Sequence, residues 1–157
     1  MMVCIVISLI YIKQIKNHTK SIIQFIQLVE NIKILIEYKN LSVSELLDDA
    51  CNSNNYTLLF FLEDIRKGIG DYHKTTENVF SNERLYSMFD YDDVEYMKGF
   101  FFTLGSSDVN GQIVNCNFYK NIFEKKLSQL QVDEKSKTKC ISTLLTGIGI
   151  LISIILI

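Results

Sequence analysis

DVNGQIVNCNFYKNIFEKKLSQLQVDEKSKTKCISTLLTGIGILISIILI, residues 108–157, reads as one uninterrupted helix that begins in water and ends in lipid. Before it stands Leu104-Gly105-Ser106-Ser107, a helix stop followed by a new start. Gly105 supplies the left-handed residue that ends one helix, and Asp108 can accept hydrogen bonds from the first free N–H groups of the next. Apolar residues then fall at Val109, Ile113, Cys116, Phe123, Leu127 and Leu130, a nearly straight seam interrupted by Lys120. Asn115, Asn121, Lys125 and Gln129 take the other side. Past Lys135, Lys137 and Lys139 the pattern changes, and Cys140 to Ile157 is a run of 18 residues without a charge. Helical rise makes that run roughly 27 Å long, close to the roughly 30 Å hydrocarbon core of a bilayer. It is expected to be a C-terminal transmembrane anchor.

A chain of 157 residues suits one domain plus its anchors. The formal charge of −2 and pI near 5.7 disfavour nucleic acid as a partner, because backbone phosphates demand a basic surface. The 48% hydrophobic content is concentrated at the two ends. Between them, residues 13–139 read as a water-soluble helical bundle domain. There is no proline, and glycines outside turn-like positions are few, which favours long helices over sheets. Cys4, Cys51, Cys116 and Cys140 lie far apart, with no paired spacing and no histidine at ligand distance, and read as small reduced side chains.

Residues 1–12 (MMVCIVISLIYI) are apolar, and Lys13, Lys16 and Lys20 follow within two turns. Twelve helical residues cover roughly 18 Å, short of an upright span. A secretory signal would place the charge before the apolar run. The segment is expected to be a partial anchor, or one whose true start lies upstream. From Ile15 to Tyr38 the helix continues in water, with Lys13, Lys16, Lys20, Gln24, Gln27 and Asn31 as a polar stripe and most other positions apolar. That circumference needs other helices around it.

Ser42 with Glu45 forms a capping-box pattern ahead of Leu46, Leu47 and Ala50. Asn52 to Asn55 is a polar break, after which Tyr56 to Ile69 is expected to be helical and to close at Gly68 and Gly70. His73 to Met88 is expected as the next helix. Asp90 offers a cap for Val94, Met97, Phe101 and Leu104, with Asp93 in the first turn complementing the helix dipole. The expected fold is therefore all-α, a six-helix bundle whose first and last helices are long. Lysines on the soluble side of both apolar ends place the domain in the cytoplasm.

No catalytic or metal constellation emerges from spacing. Asp90, Asp92 and Asp93 lack the glycine and distal glutamate of a calcium loop, and helix capping accounts for them. His18 and His73 have no ligand-type partner at helical spacing, so exposed or capping roles are expected. Glu63, Asp64, Arg66 and Lys67 read as a solvated face with local ion pairs. Gly68-Ile69-Gly70 lacks the lysine and strand of a phosphate loop. Gly147 and Gly149, with Thr143, form a small-residue pattern that permits close helix packing in the anchor. No cofactor is expected.

Leu104-Gly105-Ser106-Ser107-Asp108 followed by Gln112, an amphipathic helix, a basic patch and an apolar tail resemble the stage III sporulation protein AB family of spore-forming Firmicutes. Leu35-Ile36-Glu37-Tyr38 stands where that family carries Glu-Ile-x-Tyr, with leucine in place of the glutamate, and Leu41-Ser42-Val43 stands in place of its Thr-Pro-Leu. The resemblance implies a structural turn built from Leu104, Gly105, Asp108 and Gln112. It also implies similarity to the cytoplasmic domain of the platform protein in type II secretion and type IV pilus machines. The implied role is a non-enzymatic, membrane-anchored adaptor in an oligomeric channel complex. It would sit in the mother-cell membrane around the forespore and dock a secretion ATPase, stage III sporulation protein AA. The alternative reading is a tethered enzyme or sensor with an acidic site near Asp90 to Asp93.

Overall fold

The computed structural model describes the backbone of residues 2–39 and 41–155, and the side chains of residues 10, 12–39, 41–136, 139 and 143. Among these residues there is no strand. Seven α-helices follow one another: α1 (Met2–Lys39), α2 (Val43–Asn52), α3 (Phe61–Lys67), α4 (Tyr72–Phe80), α5 (Glu83–Tyr86), α6 (Tyr91–Thr103) and α7 (Val109–Ile155). A single 3-10 turn at Ile69–Asp71 joins α3 to α4.

Neither glycine nor proline interrupts α1, so nothing breaks its hydrogen-bond ladder. It buries Ile22, Phe25, Leu28, Val29, Ile32, Leu35 and Ile36. Thr19 and Ser21 are buried on the same helix, and their hydroxyls donate to the carbonyls of Ile15 and Asn17, so neither is left unsatisfied. Its main partner is α7, and the two run antiparallel. Thr19 Oγ1 lies 3.3 Å from Glu134 Oε2 near one end, its one proton shared between that oxygen and the Ile15 carbonyl, and Lys120 pairs with Glu30 further along. Lys120, the residue that interrupts the apolar seam of α7, is thus the counter-charge for a glutamate on α1.

Rings lock the centre. Phe25 of α1 lies 4.6 Å from Phe123 of α7 and 5.7 Å from Phe100 of α6, centroid to centroid. Phe101 continues the cluster to Phe61 at 5.9 Å and Phe80 at 5.8 Å, which brings in α3 and α4. All six of these phenylalanines are essentially inaccessible. Edge-on and tilted pairs of this kind add roughly 0.5–1.5 kcal/mol each beyond their burial.

The middle elements are set by local chemistry. Ser42 and Glu45 make the reciprocal capping box of α2. The helix expected from Tyr56 starts only at Phe61. Before it, Leu58 gives its N–H to the Gln24 side chain and Leu59 makes an isolated turn bond to the Tyr56 carbonyl. The single helix expected over 73–88 is two helices, α4 and α5. Ser81 Oγ donates to Glu77 O, and Asn82 Oδ1 accepts from the Arg84 N–H, so two short polar side chains stop one helix and cap the next. The bundle therefore has seven helices in place of six among the described residues.

The turn between α6 and α7 is closed by side chains. Leu104 is buried, and Gly105 has φ +79°, where an added Cβ would stand 2.5 Å from Val43 Cγ2. Gly105 N–H donates to Gln112 Oε1 at 3.1 Å, and Gln112 Nε2 donates to Ser107 O at 3.0 Å. Asp108 Oδ1 accepts from the Gly111 N–H at 3.0 Å. From there α7 continues without a break through Lys135 and Lys139 to Ile155. The apolar side chains of 140–157, the small-residue pattern at Gly147 and Gly149, and the apolar segment 1–9 lie outside the described side chains. Among the described residues no helix is long and apolar enough to cross a membrane.

Replacing Gly105 by alanine should destabilise the bundle by about 1 kcal/mol or more, through left-handed strain and the Val43 clash. Asp108→Ala should cost roughly 0.5–2 kcal/mol by loss of the cap. Thermal unfolding of the two variants in detergent measures both. The Lys120 hydrogen bond holds the Glu30 carboxyl below its ordinary value, against an opposing effect of burial. A depressed folded-state pKa means the contribution is complete above the unfolded value and is lost as pH falls through the folded one. Acid titration of stability should therefore be shallower in Glu30→Gln than in the parent chain, and equal slopes would remove the pair from the account.

Candidate functional site

Asp90 occupies the N-cap position of α6 in extended backbone, φ −66° and ψ 156°. Its side chain is not used for capping; Oδ2 accepts from Lys126 Nζ of α7 at 2.7 Å. Three residues on, Asp93 stands in the first turn of α6, as the sequence places it, and is buried there at 2% exposure. Its Oδ2 accepts from His18 Nε2 of α1 at 2.9 Å, and its Oδ1 lies 3.2 Å from Lys126 Nζ. Because an ionised carboxylate only accepts, His18 Nε2 carries the shared proton. His18 is correspondingly not the exposed or capping residue expected from sequence: its side chain is 15% exposed and its ring stands edge-on to Phe89.

One carboxylate thus joins α1 to the consecutive helices α6 and α7. Both of its oxygens have donors, which is what makes its burial tolerable. Burial works against the Lys126 ammonium, but the Asp90 and Asp93 carboxylates outweigh it and lift its pKa above the ordinary lysine value.

His18, Asp90 and Asp93 each offer a ligand-type atom, all within 4.8 Å of one another. The position between the two carboxylates is taken by the Lys126 ammonium, so a divalent ion entering there would have to expel a cation already bonded to both. Asp92 does not join the group; it is exposed and lines a shallow groove with Tyr96, Ile122 and Lys125. A second groove, of about 550 Å³, lies between α1 and the α5–α6 junction, lined by Gln14, Ile15, His18, Tyr86 and Phe89 among others. The arrangement suits a clasp. It holds no nucleophile beside a base.

The other candidates lie apart from this group. His73 is exposed on α4, its ring 5.4 Å from Phe102. Arg66 bonds Glu63 at 2.7 Å and reaches Asp48 of α2 at 3.5 Å, and Lys67 lies 3.6 Å from Glu63. Cys51 and Cys116 are free thiols. Burial, with Glu63 adding to it, pushes Cys51 up to about 11, and burial pushes Cys116 up to about 11. Both stay protonated and unreactive at neutral pH.

The His18–Asp93 contact spans 75 positions, so no local spacing could expose it. A signal was present in register. Asp93 sits one turn before Met97 on the buried face of α6, His18 one turn before Ile22 on that of α1, and Lys126 one turn after Phe123 on that of α7. Three polar residues interrupt three apolar seams, and interrupted seams pair where their helices meet.

Asp93→Ala should destabilise the bundle by about 2 kcal/mol or more, because it leaves two donors without their shared acceptor. Asp93→Asn, which keeps the shape, should cost less. A double-mutant cycle of Asp93→Asn with Lys126→Met, read by urea unfolding in detergent, should return a coupling of about 0.5–3 kcal/mol. Strict additivity would show that the two groups do not act together.

A family model for stage III sporulation protein AB matches residues 1–157. Neither curated proteins nor solved structures give a match. The family match runs the full length of the chain and so takes in the Gly105–Gln112 turn, the clasp and both apolar ends together. The chain belongs to the stage III sporulation protein AB family.

Proposed function

We propose that this sporulation protein is a membrane-anchored adaptor of the secretion complex between mother cell and forespore. Its bundle lies in the cytoplasm and docks a secretion ATPase, stage III sporulation protein AA. It works with other channel components, in several copies, by holding and transmitting force and without chemistry of its own.

The observation that carries this reading is the continuity of α7, which leaves the Asp108 cap, packs along α1 and continues to Ile155 in one piece. Its last stretch coincides with the uncharged run that begins at Cys140. A helix that is bundle wall for about two thirds of its length and an uncharged rod for the rest is suited to passing a partner's movement into a bilayer. The exposed Lys135 and Lys139 just before that run, with Lys13, Lys16 and Lys20 on α1, favour a cytoplasmic bundle.

Two measurements on sporulating cells test the proposal. After lysis without detergent, the chain should sediment with membranes and resist a high-salt wash; recovery in the aqueous fraction would end the anchoring claim. Crosslinking before solubilisation should recover the ATPase with the chain. A chain that stays in the membrane yet never captures the ATPase would end the adaptor claim alone.

A further inference from the structure

Both apolar ends of the chain leave the bundle at the same level. Thr19 of α1 bonds Glu134 of α7, and the helices run antiparallel. Six residues from Thr19 toward the start of α1 is Lys13, the last charge before the apolar segment 1–12. Six residues on from Glu134 is Cys140, the first residue of the uncharged run. Equal helical steps from a shared contact bring both transitions to one plane, about 9 Å beyond the Thr19–Glu134 bond.

The α5–α6 junction is tied to this end of the bundle. Asp93 and Phe89 fix it to His18, and the groove beside it is walled by Tyr86 and Ser87 on one side and by Gln14 and Ile15 on the other. Gln14 and Ile15 stand within one helical turn of Lys13. At this tip Tyr86 and Tyr91 stack face to face, centroids 5.8 Å apart and 25° from parallel, yet remain 38% and 66% exposed. Ile10 is exposed as well, at 54%. Around the same plane Lys13, Lys16, Lys20, Lys135 and Lys139 are exposed. The opposite end, where Gly105 meets Val43, has a polar turn of Ser106, Ser107 and Asp108.

Amphipathic rings with exposed phenols, set beside lysines at the level where two helices turn apolar, are the chemistry of a membrane–water boundary. We propose that the α5–α6 tip is a lipid-contacting surface, with the stacked Tyr86 and Tyr91 seated among phospholipid headgroups. The bundle then meets the bilayer at three points, the two long helices and this tip, and stands at a fixed tilt. Of the acids near the tip, Asp90 is bonded to Lys126 and Asp93 to His18 and Lys126, while Glu83 on α5 is exposed and Glu95 lies close enough to help raise the Tyr86 phenol, after burial. Asp92 and Glu95 face water on α6.

This inference rests on the anchoring reading above, and the test separates the two. The chain has no tryptophan, so a single introduced indole reports one position. Three full-length variants, Tyr91→Trp, Leu151→Trp and Tyr38→Trp, are reconstituted into phosphatidylglycerol–phosphatidylcholine vesicles carrying bromine at shallow acyl positions. Tyr38 lies at the far end of α1 and is 78% exposed. The indoles at positions 91 and 151 should lose much of their emission relative to unbrominated vesicles, and the position-91 emission should shift to the blue; position 38 should change in neither respect. A quenched position 151 with an unquenched position 91 would overturn the tip contact and leave the anchor standing. An unquenched position 151 would overturn the anchor and the tip contact with it. Equal quenching at positions 38 and 91 would overturn the proposal, since lipid would then reach both ends of the bundle alike.

Discussion

The antiparallel pairing of α1 with α7 is the constraint on which the rest of this bundle depends. These helices come from opposite ends of the sequence, and their rings at Phe25 and Phe123 sit closer than any other pair in the aromatic core. The intervening helices are short, and α3 and α5 would not persist alone in water. They are stable because they share one apolar core with the long helices: Phe101 of α6 packs on Phe25 of α1 and carries the cluster on to Phe61 and Phe80. A fold of this kind must close most of its chain into a loop before its best contacts form, which slows folding more than it lowers stability.

Polar residues set where along each other the long helices stop. Aliphatic and aromatic seams tolerate sliding by a turn; a lysine that must find Glu30 and a carboxylate that must find His18 and Lys126 do not. The pairs cost desolvation and return definition of register, a trade best attested where helices pack side by side. Thr19 with Glu134 and Asn31 with Asp49 add weaker restraints of the same sort, the second holding α2 to α1.

Much of this was legible in the sequence. The two long helices, the Ser42–Glu45 box and a stop at Leu104-Gly105 all follow from periodicity and capping chemistry, which act over a few residues. The break at Ser81-Asn82 was obscured because the apolar positions Val79, Phe80 and Leu85 keep nearly helical spacing across it, while the deciding bonds belong to two small polar side chains. Gln112 was marked as part of the turn without its mechanism, since a side chain that reaches back seven residues to Gly105 leaves no periodic trace. The clasp was missed for a different reason: the dipole explanation for Asp93 was locally sufficient, and only the neighbourhood of three folded helices reveals the carboxylate's partners.

The unbroken run of α7 has a mechanical corollary. Forty-seven residues in one helix make a strut of about 70 Å. It is gripped at its start by the side chains of Asp108 and Gln112 and along its first half by α1. A pivot of one degree at the gripped end displaces the distal tip by about 1.2 Å, a simple consequence of that reach. With no proline to absorb bending, small angular motions of the body are geared up into sideways travel at the far terminus.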